Sequence, residues 1–217
     1  TFANLRHAMV YTLAVHVPII GLALLPVLFG LPLVLAPLHI AFLELVIDPA
    51  CSIVFEAEEG AADLMQQPPR AADEPLLSTR HILLSVLQGS VVTAAVVGLY
   101  AWLLRQPAHA ATASTAAFVV LVAANAALIL PSRSSQTVWR SLWKGLTPVS
   151  LWVAGGTLAA LTAITTVPWL ANAFRFVPLS PLHWFMALLA GLLLTVVFMA
   201  NKRWLQPATL ARHTSLA

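Results

Sequence analysis

Six long apolar segments divide the chain, and stretches rich in proline, glycine or charged residues separate them. Each segment is about 20 residues long, the length that an α-helix needs to cross the hydrocarbon core of a bilayer. The segments cover approximately residues 8–29, 33–56, 81–104, 112–131, 147–168 and 182–201. The pattern predicts an all-α fold, in which residues 1–217 form one domain, an integral membrane six-helix bundle.

The composition agrees with a membrane environment and excludes other classes of protein. Charged residues make up 9% of the 217 residues and hydrophobic residues 60%, whereas about 25% of the residues in a soluble domain are charged. The net charge of +3 is too small and too dispersed for a nucleic-acid surface. We therefore expect the lipid bilayer, and no nucleic acid, as a partner. The single cysteine, Cys51, excludes an intramolecular disulfide.

The basic residues predict the orientation of the bundle. Of the 11 Lys and Arg residues, only Arg105 and Arg175 fall in the loops on one side. The other nine lie at the termini or in the second and fourth connections: Arg6, Arg70, Arg80, Arg133, Arg140, Lys144, Lys202, Arg203 and Arg212. Because cytoplasmic loops carry the excess of basic residues, both termini are expected in the cytoplasm. The location expected for such a multi-pass protein is the inner (plasma) membrane of a bacterium.

Two carboxylates lie in the middle of the second segment, LHIAFLELVIDPACSIVFEAEE. Glu44 and Asp48 are four residues apart and share a helix face, although a charge at the centre of a membrane helix costs about 2.5–3.5 kcal/mol on insertion scales. Pro49 lacks an N–H, so we expect a helix break between residues 44 and 48, with carbonyl groups free to join the carboxylates as oxygen ligands of a cation. The alternative is a structural role, in which both acids are neutral and pair with polar groups on other helices.

The first and fourth segments each contain one further polar residue. His16 is either a packing residue or a neighbour of the two acids, because the first and second segments are joined by a tight turn. Pro18 predicts a second helix break, since it leaves the carbonyl of Ala14 without its donor. Asn125, in the alanine-rich fourth segment, is expected to form a hydrogen bond between helices.

Three stretches carry a resemblance to a known family: NLRHAMVYTLAVHVPI, GLPLVLAPLHIAFLELVIDPACS and DLMQQPPRAADEPLLS. Together they resemble the carboxy-terminal transmembrane domain of bacterial P-type cation-transporting ATPases related to calcium and sodium/potassium pumps. In that family the fifth and sixth transmembrane helices contain GLP…P…NLVTDGLPA, and the next loop ends MxxPPR…EPL. The matching residues are Gly30, Leu31, Pro32, Pro37, Leu45, Val46, Asp48, Met65, Pro68, Pro69, Arg70, Glu74, Pro75 and Leu76. Pro49 departs from the pattern, because the family usually has glycine there.

The resemblance implies that the six segments are the family's fifth to tenth transmembrane helices. Asp48 would be the aspartate that coordinates the transported cation. Glu44 and Ile47 stand where calcium pumps carry an asparagine and a threonine ligand, and His16 stands at a fifth-helix asparagine ligand. Ile19 replaces a fifth-helix glutamate, and the fourth segment has no acid. The resemblance thus implies one cation site, built on Glu44, Asp48 and His16.

The identity of the cation stays open among Ca²⁺, Mn²⁺, Na⁺, K⁺ and H⁺. Carboxylate oxygens suit hard cations better than copper or zinc, and the chain lacks the cysteine motif of heavy-metal pumps. The resemblance also implies a coupling loop that docks against a cytoplasmic phosphorylation domain. Its candidate residues are Asp63, Pro68, Pro69 and Arg70.

The chain begins with Thr, and we expect it to be part of a longer polypeptide. It contains none of the family's motifs DKTGT, TGES or GDGxND, so by itself it is not expected to hydrolyse ATP or to hold a cofactor. Mg²⁺ and ATP would belong to the parent protein, whose N-terminal helices and phosphorylation, nucleotide and actuator domains would be its partners. The alternatives are a stand-alone six-helix ion channel or proton-coupled carrier, and a non-transporting membrane scaffold.

Overall fold

The structure, a computed structural model, describes residues 2–57, 75–106, 110–133 and 147–205, and the regular secondary structure within these ranges is entirely helical. The elements are α1 (Phe2–Leu28), α2 (Pro37–Phe42), a π turn (Leu43–Ile47), α3 (Asp48–Glu56), α4 (Thr79–Arg105), α5 (Ala110–Arg133), α6 (Pro148–Thr166), α7 (Pro168–Phe174) and α8 (Pro181–Leu205). Six helical stretches are long and apolar enough to cross a membrane, and α2, the π turn and α3 together form the second of them. The predicted all-α, multi-pass membrane fold is confirmed.

Helix α5 forms the centre of the bundle. In its most apolar part 72% of the residues are buried, against 18–33% in the other five spans. The outer helices carry large apolar side chains on the surface, such as Leu28, Leu45 and Trp152. In a bilayer these side chains contact lipid, so an exposed apolar surface is expected here.

Small residues let α1 and α4 approach closely. A Cβ atom added at Gly89 of α4 would lie 2.5 Å from the Cβ of Val17 and 2.6 Å from the carbonyl oxygen of Ala14. Ser85 of α4 also donates a hydrogen bond to the carbonyl of Val10 at 3.0 Å. Close backbone approach through small residues is the usual way in which membrane helices associate. The position of α1 is therefore set by α4.

Specific residues end the helices. Gly30 has a φ of +67°, and the N–H groups of Gly30 and Leu31 donate to the carbonyls of Val27 and Pro26, which is a Schellman ending of α1. Pro168 forces Val167 into an extended conformation with ψ of 118°, so the fifth span ends at Thr166 and α7 begins after it. Helix α7 was not predicted from the sequence.

Aromatic rings surround a buried histidine where α2 begins. We call this group the His39 cluster, and it consists of His39, Phe42, Phe118, Phe174 and Phe176. The imidazole is 4% exposed, and it stacks on Phe174 and Phe176 with ring centroids 5.7 and 4.6 Å away. The backbone N–H of Ala36 donates to its Nδ1 at 3.0 Å, and its Nε2–H donates to the carbonyl of Phe174 at 2.7 Å. The cluster joins α2, α5 and the end of α7.

Two hydroxyl groups, one from α4 and one from α5, hold the connection between α1 and α2 against these two helices. Tyr100 of α4 donates to the carbonyl of Pro32 at 3.0 Å, and Ser114 of α5 donates to the carbonyl of Val34 at 2.9 Å. The second span therefore begins at a position that several neighbouring helices define.

The helix break expected at Pro18 is not observed. Helix α1 continues as an α-helix through Pro18 and Pro26. Its hydrogen-bond ladder loses a donor at each proline, and in the close contact with α4 the freed carbonyl of Ala14 faces Gly89. Helix α1 is thus continuous in spite of the missing donor, which membrane helices tolerate when neighbouring helices pack on the freed carbonyl.

Candidate functional site

The second span changes its helical period next to Pro49. A π turn at Leu43–Ile47 lies between α2 and α3, and the N–H of Asp48 donates to the carbonyl of Leu43, five residues earlier. Because Pro49 has no N–H, the carbonyl five residues before it, that of Glu44, loses its π-type donor. The irregularity predicted here is present as a wider turn, and the chain remains helical instead of unwinding.

The π turn determines where the two carboxylates point. Asp48 begins α3, while Glu44 lies inside the π turn. An inserted residue rotates the helix on one side of it relative to the other, and such turns are common at functional sites. Glu44 remains 37% exposed at the side chain, whereas both carboxylate oxygens of Asp48 are shielded from solvent.

The backbone of its own helix orients His16. Its Nδ1 lies 2.7 Å from the carbonyl oxygen of Thr12, one turn earlier in α1. A carbonyl can only accept a hydrogen bond, so Nδ1 carries the proton and Nε2 is left to face outward from the helix. Nε2 lies 3.4 Å from Oε2 of Glu44. His16 is thus a neighbour of the acids, the second of the two positions considered for it in the sequence.

The three side chains form one compact group, which we call the His16–Glu44–Asp48 triad. One possible ligand atom from each residue lies within 4.8 Å of the corresponding atoms of the other two. Three donor atoms at this spacing can all contact a single ion, because metal–ligand distances are about 2.0–2.6 Å and opposite ligands are twice as far apart. Two spans supply the triad: α1 gives the histidine, and the irregular second span gives the acids.

The carboxylate of Asp48 has no hydrogen-bond partner within the part of the chain that the structure describes. A buried polar group without a partner costs about 1–3 kcal/mol, and more when it is charged. Among the described residues, the pairing with polar groups on other helices is therefore not found for Asp48. A bound cation would supply the missing partner.

Other residues singled out in the sequence behave differently. Asn125 is fully buried in α5, but neither amide atom has a hydrogen-bond partner among the described residues, so the expected bond between helices is not seen there. The predicted coupling-loop residues Asp63, Pro68, Pro69 and Arg70 lie outside the described residues.

Two features of these sites escaped the sequence analysis. The carbonyl of Thr12 orients His16, and a histidine four residues after a polar residue in a helix does not by itself reveal such a bond. His39 is also a buried polar residue. Its position three residues after Ala36 and near Pro37 is a signal for a helix start, but its second partner, Phe174, is 135 residues away.

Comparison with known proteins matches this chain to one family over most of its length. The family model "Cation transporting ATPase, C-terminus" matches residues 32–204. The calcium-transporting ATPase of Bacillus subtilis (strain 168) is 29% identical over 89% of this chain and 23% of its own length. The probable cation-transporting ATPase F of Mycobacterium tuberculosis (strain ATCC 25618 / H37Rv) is 26% identical over 90% of this chain and 22% of its own length.

A third relative matches a similar share of this chain. The probable calcium-transporting ATPase of Trypanosoma brucei brucei is 25% identical over 82% of this chain and 20% of its own length. The chain thus spans between a fifth and a quarter of the length of these curated relatives.

Proposed function

Because this chain belongs to the family of the cation transporting ATPase C-terminus, we propose that it forms the cation-translocating membrane domain of an ATP-driven P-type pump. Its six apolar helical stretches would enclose part of the ion path, and the transported cation would bind at the His16–Glu44–Asp48 triad. The parent protein would lie in the inner membrane of a bacterium, and its other domains would bind Mg²⁺ and ATP.

The triad is the observation that carries this proposal. Ionisable residues within membrane spans are costly, face a bundle interior or a cavity, and mark ion paths. Here three of them converge within 4.8 Å from two spans, and Asp48 lacks any other partner among the described residues. Van der Waals packing or a structural hydrogen-bond network would need neither feature.

The exposure of the triad supports further helices as partners. The side chains of His16 and Glu44 are 38% and 37% exposed, although they lie near the middle of α1 and of the second span. Charged groups at this depth do not face lipid, so protein or a water-filled path must cover them. N-terminal helices of the parent pump would provide this cover and further ligands.

The proposed mechanism is alternating access at the triad. Helix α1 carries His16 and the second span carries both acids, so a displacement of α1 changes the distance between Nε2 and the carboxylates. The affinity for the cation and the side from which it is reached would change together. Phosphorylation in another domain would drive this displacement.

The start of α1 is connected to the segment that precedes α4. The Nε of Arg6, near the start of α1, donates to the carbonyl of Leu76 at 3.1 Å. Leu76 follows the loop that contains Asp63, Pro68, Pro69 and Arg70. A phosphorylation domain docked on this loop would thereby act on α1 as well as on the second span.

ATP hydrolysis by the full-length pump, purified and reconstituted into vesicles, tests the proposal. The assay covers Ca²⁺, Mn²⁺, Na⁺ and K⁺, with Glu44→Gln beside the wild type. We expect stimulation by at least one ion and its loss in Glu44→Gln. Thr162→Val is the matched control, because Thr162 is exposed on α6 and its hydroxyl donates only to Leu158 of its own helix. Stimulation that is unchanged in Glu44→Gln would contradict a transport site at the triad and favour a structural role for the acids.

A further inference from the structure

The nitrogen of His16 makes the triad a mixed site and not an all-oxygen one. One donor is the imidazole Nε2, and the other two are carboxylates from Glu44 and Asp48. Calcium sites in proteins use six to eight oxygen ligands. Imidazole suits first-row transition metals such as iron, nickel and zinc, whereas carboxylate suits calcium and manganese alike. The presence of a nitrogen donor therefore distinguishes among divalent cations, whatever further ligands complete the site.

The imidazole is prepared to act as a ligand. Its Nδ1–H bond to the carbonyl of Thr12 at 2.7 Å fixes both the tautomer and the ring orientation. Metal-binding histidines in proteins almost always donate their second N–H in this manner, and the bond increases the basicity of the ligating nitrogen. Nε2 of His16 then lies 3.4 Å from Oε2 of Glu44, so an ion placed between them would contact both residues.

Helix packing limits how far His16 can move away from the acids. Ala14 and Val17, on either side of His16 in sequence, contact Gly89 of α4 so closely that no Cβ would fit there. Glu44 and Asp48 are held on the other side by the π turn and by α3. Three donors at most 4.8 Å apart can all be reached by one ion when its ligand distances are up to about 2.4 Å, a range shared by larger and smaller divalent cations. The spacing therefore does not choose among these ions, and the choice falls to the chemistry of the donor atoms.

We propose that the transported substrate is a divalent first-row transition metal, tested here with Mn²⁺, and that His16 selects it over Ca²⁺. This inference rests on the proposed function, since it names the substrate class of the same site. The specificity comes from one atom, the Nε2 of His16. An oxygen ligand at the same position would favour Ca²⁺ instead.

His16→Asn in the full-length reconstituted pump tests this role, because asparagine replaces the nitrogen ligand by an amide oxygen. Apparent activation constants for Mn²⁺ and Ca²⁺ are measured in the wild type, in His16→Asn and in the control Thr162→Val. We expect the wild type and the control to prefer Mn²⁺. In His16→Asn the affinity for Mn²⁺ should fall about 10- to 100-fold, the range seen when the surroundings of a metal are disturbed, while that for Ca²⁺ is retained or rises.

Pulsed electron paramagnetic resonance of bound Mn²⁺ gives a readout independent of turnover. We expect a hyperfine coupling to imidazole nitrogen in the wild type and in Thr162→Val, and none in His16→Asn. Bound Mn²⁺ without nitrogen coupling in the wild type would overturn the role of His16 as a ligand.

The possible failures are distinguishable. If the wild type prefers Ca²⁺ and His16→Asn does not change this preference, the proposed metal selectivity is overturned. The proposed pump function still stands in that case, provided that Glu44→Gln abolishes the stimulation by the ion. If Glu44→Gln retains both ion stimulation and ion binding, the proposed function itself is overturned, and the selectivity with it.

Discussion

His39 and His16 lie in apolar helices of the same bundle, and their ring nitrogens are used in opposite ways. Both nitrogens of His39 are bonded to backbone groups, and its ring is 4% exposed among phenylalanines. His16 uses one nitrogen for its own helix and turns the other to Glu44, with 38% of its side chain exposed. A buried polar residue with all its bonds made stabilises the fold, whereas one with an unused atom beside two acids is available for a ligand.

The acids of the triad extend this comparison. Glu44 lies 3.4 Å from His16, but Asp48 has no hydrogen-bond partner among the described residues. Both ring nitrogens of His39 are already bonded, while the triad offers a carboxylate without a partner among the described residues. Stability and ion binding should therefore separate when each region is altered.

The largest expected effect follows from Asp48→Asn. Removal of the carboxylate should reduce ion-stimulated ATP hydrolysis by the full-length pump at least about 10- to 100-fold, because loss of the groups that merely support metal ligands already has an effect of this size. The thermal unfolding temperature in detergent should stay the same or rise, because an unpartnered buried carboxylate destabilises the fold. The measurements are ion-stimulated hydrolysis and thermal unfolding, with Thr162→Val as control. A parallel fall in stability and activity would place Asp48 in the structural class of His39.

His39→Phe should give the opposite result. The phenyl ring can stack on Phe174 and Phe176, but the N–H of Ala36 and the carbonyl of Phe174 lose their partner. We expect a loss of about 2 kcal/mol or more in the free energy of unfolding, since each unsatisfied buried group costs about 1–3 kcal/mol. Folded protein should keep the ion preference of the wild type. A changed ion preference at unchanged stability would contradict the distinction between the two histidines.

Gly89→Ala tests whether the position of α1 matters to the triad. The added Cβ would meet Val17 and Ala14 at 2.5 and 2.6 Å, so α1 must move, at a cost of about 1–3 kcal/mol. We expect a weaker apparent affinity for the activating ion, although no ligand has been changed. Gly98→Ala in the same helix is the matched control, because a Cβ there meets no atom within 4 Å. Equal ion affinities in the two variants would show that the triad tolerates displacement of α1.

The smallest effect is expected for Tyr100→Phe. This change removes only the hydrogen bond to the carbonyl of Pro32, for which we expect about 1 kcal/mol of destabilisation. Ion-stimulated hydrolysis should be unchanged, because the bond holds the connection between α1 and α2 and does not touch the triad. Loss of ion affinity in this variant would show that the two regions are coupled.

Hydrophobic length and the order of polar residues determined most of the fold. Twenty-residue apolar stretches can only become helices in a bilayer, because lipid offers no partners to the backbone, so all six spans could be predicted. Glu44 and Asp48 were identified for the same reason, since acids within such a stretch are expensive. The helix ends at Gly30 and before Pro168 also follow from local backbone sterics.

Contacts between distant parts of the chain decided the rest. Pro18 should break α1 by local rules, yet the helix is continuous there, where its freed carbonyl at Ala14 lies against Gly89. Pro49 should unwind the second span, yet the missing donor is accommodated by a π turn. Local sequence states which bond is lost, but only the surrounding helices decide whether the backbone breaks, bends or changes its period.

The roles of the two histidines show this limit most clearly. Apolar neighbours surround both His16 and His39 in sequence, and nothing local distinguishes a ligand from a structural residue. The difference arises because α1 brings Nε2 of His16 to Glu44, 28 positions later in the chain, while the end of α7 brings a carbonyl to His39. Residue types determined that polar chemistry lies inside this membrane domain, and tertiary packing determined which atoms are left free to perform it.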